Sequence, residues 1–318
     1  MNIVVTDGAP LIQDDLSFDL FKEVGTLSVY DRSTREELII RCAKADAIII
    51  NKSIIDKDLL SKLPHLKYIG VTATGTNIVD TEEAKKRGIA VTNVPSYSTD
   101  AVAQMVLAHI LEHTNQVASY TNDVKSGVWQ HSKDFCFLTH TISELSGKTL
   151  GIYGMGEIGM KIGAIGSAFG MKVIYNSRNR KEAADKKGYR YVSVEELFKE
   201  SDFLSLNAPL NSESKHIVSK HTLSLMKRSA YLINTARGAL VDEEALYSAL
   251  KNKEISGAGL DVLEEEPPKV ASPLFSLDNV TITPHASWGA VETRKRLLEV
   301  AFENLKAFSE GKEKNRIC

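Results

Sequence analysis

Cysteine is scarce in these 318 residues. The three present, Cys42, Cys136 and Cys318, are odd in number, widely separated and form no C-x-x-C pair. That excludes a disulfide framework and a thiolate zinc site, so no metal is expected, and a reducing compartment, the cytoplasm, fits best. An excess of charge of one sign is also missing. A formal net charge of −2 provides no field for holding nucleic acid or an acidic membrane. No apolar run reaches the length of a membrane span. Met1-Asn-Ile-Val-Val-Thr6 reads as a strand ending at Asp7-Gly8, without the basic flank and long apolar core of a leader peptide. What is left has the apolar and charged fractions of an ordinary globular protein, and enough length for two domains.

The most informative stretch is Thr149-Leu-Gly-Ile-Tyr-Gly154-Met-Gly156-Glu-Ile-Gly159. An apolar run ends in G-x-G-x-x-G, and Ile158, Ile162 and Ile165 then recur at helical spacing, so it reads as strand, tight turn and helix. This is the pattern of a dinucleotide-binding turn. Gly154 can take the sharp turn, Gly156 lets the backbone approach a pyrophosphate, and Gly159 lets the helix lie close to the strand. Gly154, Met155, Gly156, Glu157, Ile158 and Gly159 are therefore candidate coenzyme contacts. Gly163 and Gly166, costly inside a helix, predict close packing of that face.

Strand and helix patterns alternate through the rest of the chain. Strands are expected at Ile3–Thr6, Leu27–Tyr30, Ala47–Ile50, Tyr68–Val71 and Ile89–Thr92, with helices at Thr34–Ala45, Asp56–Lys62 and Thr81–Arg87 between them. A long helix from Ala101 to about Tyr120 follows, and residues 126–145 read as a loop or arm. That arm either packs on the chain's own surface, the simpler reading, or reaches a second subunit. The second alternating block adds strands at Lys172–Tyr175, Asp202–Leu206, Ala230–Ile233, Gly257–Val262 and Val280–Thr283. The fold class expected is α/β, with two doubly wound parallel sheets. One is a Rossmann-type coenzyme domain, residues 100–289; the other is a flavodoxin-like substrate domain, residues 1–99 and 290–318.

Ligands of open parallel sheets bind beyond the carboxyl ends of the strands. In the second block that edge carries Asn207-Ala-Pro209, Asn234-Thr-Ala236-Arg237-Gly238, Asp261, Glu264-Glu-Glu266-Pro267 and Pro284-His285. Pro209 is counted with the coenzyme contacts. An arginine, a carboxylate and a histidine beside a dinucleotide turn fit the reduction of a 2-oxo acid. Guanidinium keeps its charge and offers paired donors to the substrate carboxylate, which suits Arg237. Imidazole gives or takes a proton near neutral pH, which suits His285 as acid and base. Glu266, held in extended chain by the following proline, is the choice for orienting the imidazole, while Glu264 and Glu265 read as solvated.

At these residues the sequence resembles the D-isomer-specific 2-hydroxyacid dehydrogenases over essentially its whole length. The matching stretches are Gly154–Gly159, Asn234–Gly238, Gly259–Pro267 and Thr283–His285. The resemblance implies Arg237 as substrate anchor, Glu266 as partner and His285 as acid/base. It also implies Asp261 and the Ala236 backbone near the nicotinamide carboxamide, and the amides of Thr74 and Gly75 for the substrate carboxylate. It implies a hinge near residues 286–290, whose closure would exclude water, and a homodimer. The branch it resembles is that of the glycerate dehydrogenases, or hydroxypyruvate reductases, through Ala73–Asn77, Val91–Tyr97 and Trp288. Gly289 after that tryptophan, and Glu157 where many members carry arginine, are departures that leave room for a different preferred acid.

The expected reaction is NAD(P)H-dependent reduction of hydroxypyruvate or glyoxylate to the D-2-hydroxy acid, and the reverse oxidation. The alternatives are a bulkier 2-oxo acid or phosphoglycerate as substrate, and a nucleotide-sensing protein akin to co-repressors of the same fold. After the strand at Lys172–Tyr175 comes Asn176-Ser177-Arg178-Asn179-Arg180-Lys181, with no acid to hold the ribose hydroxyls of NAD. Ser177 and Arg178 could instead hold a 2′-phosphate, so NADPH is expected to be preferred over NADH.

Overall fold

The short β-branched and apolar runs of the amino-terminal part form strands β1 (Asn2–Val5), β2 (Thr26–Val29), β3 (Ala47–Ile50), β4 (Tyr68–Val71) and β5 (Ala90–Thr92). The computed structural model describes residues 1–13 and 15–318, in two compact units: Met1–Ser98 with Gly289–Cys318, and Thr99–Trp288.

In the first unit all pairings are parallel, in the order β2-β1-β3-β4-β5, the flavodoxin-like arrangement. Every residue of β3 and β4 is buried, because helices cover both faces of a parallel sheet. The connecting helices start where the sequence supplies oxygen caps. Thr34 and Glu37 form a capping box for Arg35–Arg41, and Asp56 and Asp80 cap Lys57–Ser61 and Thr81–Lys86. The last helix, Val291–Ser309, stacks Phe308 against Tyr68 of β4 at 5.0 Å between centroids. Ile317 then donates its amide to Val91 and extends the edge beyond β5.

The second unit contains β6 (Thr149–Tyr153), β7 (Lys172–Asn176), β8 (Arg190–Tyr191), β9 (Phe203–Leu206), β10 (Tyr231–Asn234), β11 (Gly257–Leu260) and β12 (Val280–Ile282). All are parallel, in the order β12-β11-β10-β9-β6-β7-β8. Strand order reverses between β6 and β9, which opens a crevice at their carboxyl ends as in Rossmann-type domains. Both sheets thus match the fold class read from the sequence. Helix Glu157–Ala168 lies close on the sheet: a Cβ on Gly166 would stand 2.4 Å from Leu150 Cδ2, so the face marked by Gly163 and Gly166 is indeed the packed one.

Three features depart from the sequence reading. The helix expected to run from Ala101 to about Tyr120 is two helices, Thr99–Asn115 and Val117–Lys125. Between them Gln116 is left-handed, with φ 52°, while its side-chain amide donates to the His113 carbonyl and its oxygen accepts from Ser119. The apolar spacing continues across this break, which is why periodicity does not reveal it. The helix expected over Thr34–Ala45 is shorter, ending at Arg41. Strand β8 has only two residues, both exposed, and carries no apolar pattern. Among the described residues, no helix is long and apolar enough to cross a membrane.

Candidate active site

The glycine turn follows β6 at the strand-order reversal. Gly154 has φ 98°, and a Cβ there would lie 2.6 Å from the Ala208 amide nitrogen, so both the conformation and the space require glycine. A Cβ on Gly159 would lie 2.4 Å from the Gly154 carbonyl oxygen, so the helix touches the turn. Gly156 differs: its Cβ would meet nothing within 4 Å. It precedes helix Glu157–Ala168, whose first amides have neither intrahelical acceptors nor a side-chain cap. Met155 is buried beneath the turn, Ile158 is half-buried, and Glu157 is exposed in the first turn. Unsatisfied amides, a positive helix end and open space at Gly156 form a cradle that fits a pyrophosphate.

Two further groups on the same edge are open to a ligand. Asn207 Oδ1, just past β9, and Thr235 Oγ1, just past β10, are buried without hydrogen-bond partners among the described residues. Both stand at the carboxyl edge of the sheet, and unsatisfied buried polar atoms there are suited to a ligand. Neither residue was singled out in the sequence; the available signal was their position immediately after a strand. Pro209, two residues past Asn207, is exposed, and its carbonyl accepts from Ser214.

At the end of β7, Ser177 Oγ donates to the Asn179 carbonyl at 2.7 Å, which tightens the loop. Arg180 is engaged: its Nε lies 2.7 Å from Asp185, whose other oxygen accepts from the Tyr175 hydroxyl. The hydrogen bond from Arg180 holds the Asp185 carboxyl below the usual carboxylate range. Arg178 is exposed and has no ion-pair partner among the described residues.

The triad candidates come from three strand ends. Asn234, last residue of β10, staples the next turn: its side chain donates to the Arg237 carbonyl at 2.9 Å and accepts from the Ala236 amide at 3.1 Å. Arg237 is exposed and rests one guanidinium nitrogen on the Ala236 carbonyl at 2.7 Å. Gly238 packs so tightly on the segment after β11 that a Cβ would sit 1.9 Å from the Leu263 carbonyl carbon. The arginine turn therefore lies directly against the loop that carries Glu266. Glu266 Oε1 accepts from the Leu263 amide at 2.9 Å, and its Oε2 stands 2.6 Å from His285 Nδ1.

His285 follows β12 with φ 53°. Asp261, fully buried, shapes this turn. Its carboxylate accepts from the Thr283 hydroxyl at 2.6 Å and the amides of Ala286 and Ser287 at 2.8 and 3.0 Å, and its carbonyl accepts from the His285 amide. With Nδ1 engaged by Glu266, Nε2 is the ring nitrogen left for chemistry. Arg237, Glu266 and His285 are thus gathered on one edge of one sheet, the edge that bears the glycine turn. Thr74 and Gly75 belong to the first unit, in the loop after β4, where Thr74 Oγ1 donates to the Val94 carbonyl and its own carbonyl accepts from Asn93.

Residues 107–287 match the NAD-binding domain of the D-isomer specific 2-hydroxyacid dehydrogenases. A hydroxypyruvate reductase from Blautia hydrogenotrophica is 39% identical over 99% of both chains. The chain belongs to the D-isomer specific 2-hydroxyacid dehydrogenase family. Among solved structures of similar fold, a D-lactate dehydrogenase from Aquifex aeolicus complexed with NAD and lactic acid superposes with a TM-score of 0.85. It is 33% identical, with 98% of this chain and 96% of that one covered. An acyclic imino acid reductase in complex with NADPH and D-Arg gives a TM-score of 0.86 at 32% identity, with both chains wholly covered. Solved structures similar to this chain thus carry either nicotinamide coenzyme, and the cradle at Gly154–Gly159 fits the pyrophosphate that both share.

Proposed function

We propose that this dehydrogenase reduces a small 2-oxo acid, hydroxypyruvate or glyoxylate, to its D-2-hydroxy acid with NAD(P)H, and catalyses the reverse oxidation. The observation that carries the reading is the 2.6 Å contact between Glu266 Oε2 and His285 Nδ1, with the Arg237 turn packed on the same loop. When bound, the coenzyme supplies the hydride for the carbonyl carbon. His285 holds the proton on Nε2 and delivers it to the carbonyl oxygen, and in the reverse direction takes it from the hydroxyl. Glu266 accepts from Nδ1 and so orients the ring with Nε2 free for the substrate. The Arg237 guanidinium leaves the Ala236 carbonyl to pair with the substrate carboxylate. For the first unit, residues 1–98 with 289–318, the proposed role is substrate binding through the Thr74 and Gly75 amides, and for residues 99–288 it is coenzyme binding. In the latter, the Ala236 backbone and Asp261 would hold the nicotinamide carboxamide.

NADPH is the proposed preferred coenzyme. Arg180 is taken by Asp185, whereas exposed Arg178, beside Ser177, can meet a 2′-phosphate that an acid here would repel. A homodimer built through residues 117–142 and a cytoplasmic site of action complete the reading. The exposed Phe135, Leu138 and Trp129 support the first.

The test is reduced-coenzyme absorbance followed with a panel of 2-oxo acids and both coenzymes. Turnover of hydroxypyruvate or glyoxylate, with higher kcat/KM for NADPH, is expected. His285→Gln should lower kcat by about 10²- to 10⁴-fold while coenzyme still binds. Absence of turnover with every acid would overturn the enzyme reading, and a clear NADH preference the coenzyme choice.

A further inference from the structure

Helix Thr99–Asn115 buries a histidine that the reaction above does not use. His109 is 4% exposed and pressed against β11, so tightly that a Cβ on Gly259 would lie 2.7 Å from its Cγ. Its Nδ1 is 2.7 Å from Thr281 Oγ1 of β12, and that hydroxyl is 2.8 Å from the buried Tyr231 hydroxyl of β10. Its Nε2 is 3.4 Å from Thr283 Oγ1, the hydroxyl that donates to Asp261.

The direction of every proton in this chain follows from its end. Asp261, as a carboxylate, only accepts, so the single Thr283 hydroxyl proton goes to it. Thr283 Oγ1 can then only accept from His109, which puts the imidazole proton on Nε2. Burial holds His109 below the ordinary imidazole range, so the ring is neutral and its Nδ1 is an acceptor. Thr281 must donate to Nδ1, and the Tyr231 hydroxyl must donate to Thr281. The order Tyr231, Thr281, His109, Thr283, Asp261 thus has one polarity, and it ends on the carboxylate whose oxygens also hold the Ala286 and Ser287 amides of the His285 turn.

We propose that His109 is a positioning residue for the dehydrogenase reaction: as the Nε2–H tautomer it orients Thr283 and Asp261, and through them the turn that presents His285. The inference rests on the role of His285 given above. Replacing Thr281 by valine removes the donor to Nδ1 and frees the ring to change tautomer, whereas serine keeps the hydroxyl.

The experiment combines imidazole ¹⁵N spectra of the full protein, with His109 assigned by its loss in His109→Gln, and kinetics of the Thr281 variants. His109 is expected as a neutral ring with the proton on Nε2. Thr281→Val should lower kcat by about 3- to 10-fold, the loss of one hydrogen bond's worth of orientation, with coenzyme affinity little changed, and Thr281→Ser should restore it. An Nδ1–H or charged His109, or wild-type kcat in Thr281→Val, would overturn the proposal. If Thr281→Val fails to fold, the spectrum of the unaltered protein still decides the tautomer. Lack of turnover in the unaltered protein removes the reaction, and the positioning role with it. That outcome is told apart because the tautomer is read without turnover.

Discussion

At the scale of single residues, the chemistry depends on side chains held by backbone contacts of other loops. His285 has a left-handed backbone conformation, uncommon outside glycine, and it is kept there by Asp261, which offers both its carbonyl and its carboxylate to residues 283–287. Arg237 is aimed by the Asn234 staple, and Glu266 is fixed by the Leu263 amide before it meets the imidazole. Burial also leaves a signature in pH. His109 and His113, four positions apart on one helix face, are both pushed below the ordinary imidazole value of 6.5 by burial, with Asp261 opposing at His109. The unfolded chain takes up protons near 6.5 and the folded chain resists, so stability present above that value is lost as pH falls below it. Melting temperature should therefore drop between about pH 7 and pH 5. In His113→Gln, where one such ring is removed, the drop should be shallower; an equal slope would contradict the assignment. Spacing alone did not mark these two histidines, because an i, i+4 pair on an apolar face reads as core.

At the scale of elements, the glycine turn separates what the fold needs from what a ligand needs. A methyl at Gly159 must displace the Gly154 carbonyl, so Gly159→Ala should destabilise the ligand-free protein by about 1–3 kcal/mol. A methyl at Gly156 meets only open space. Gly156→Ala should leave ligand-free melting nearly unchanged and weaken NADPH binding by about tenfold or more, since the pyrophosphate needs that approach. Thermal unfolding without nucleotide and a fluorescence titration with NADPH measure the two effects. Most strands and several helix starts were legible in the sequence, because β-branched runs such as Ala47–Ile50 and caps such as Thr34 and Asp56 act locally. The break at Gln116 was not, because it is made by one residue's backbone and by amide contacts to His113 and Ser119 that no periodicity encodes.

At the scale of the whole molecule, residues 117–142 stand out. The segment is organised by its own contacts, Tyr120 to His140 and Trp129 to Phe135, yet leaves Phe135 90% and Leu138 75% exposed. An ordered surface that keeps large apolar side chains in water fits a protein partner, and a second copy of the chain is the proposed one. Sedimentation should report a dimer for the unaltered protein and a monomer for Phe135→Asp combined with Leu138→Asp; a monomer for both would sink the idea.

Sequence by itself determined the two alternating blocks, the glycine turn and the three residue types at the strand ends, since patterning, capping and glycine need only local physics. Strand order, the 2.6 Å meeting of Glu266 with His285, and the proton order running from Tyr231 to Asp261 were decided only in three dimensions. These depend on which distant segments a parallel sheet brings side by side, and on what each buried polar atom finds there once water is gone.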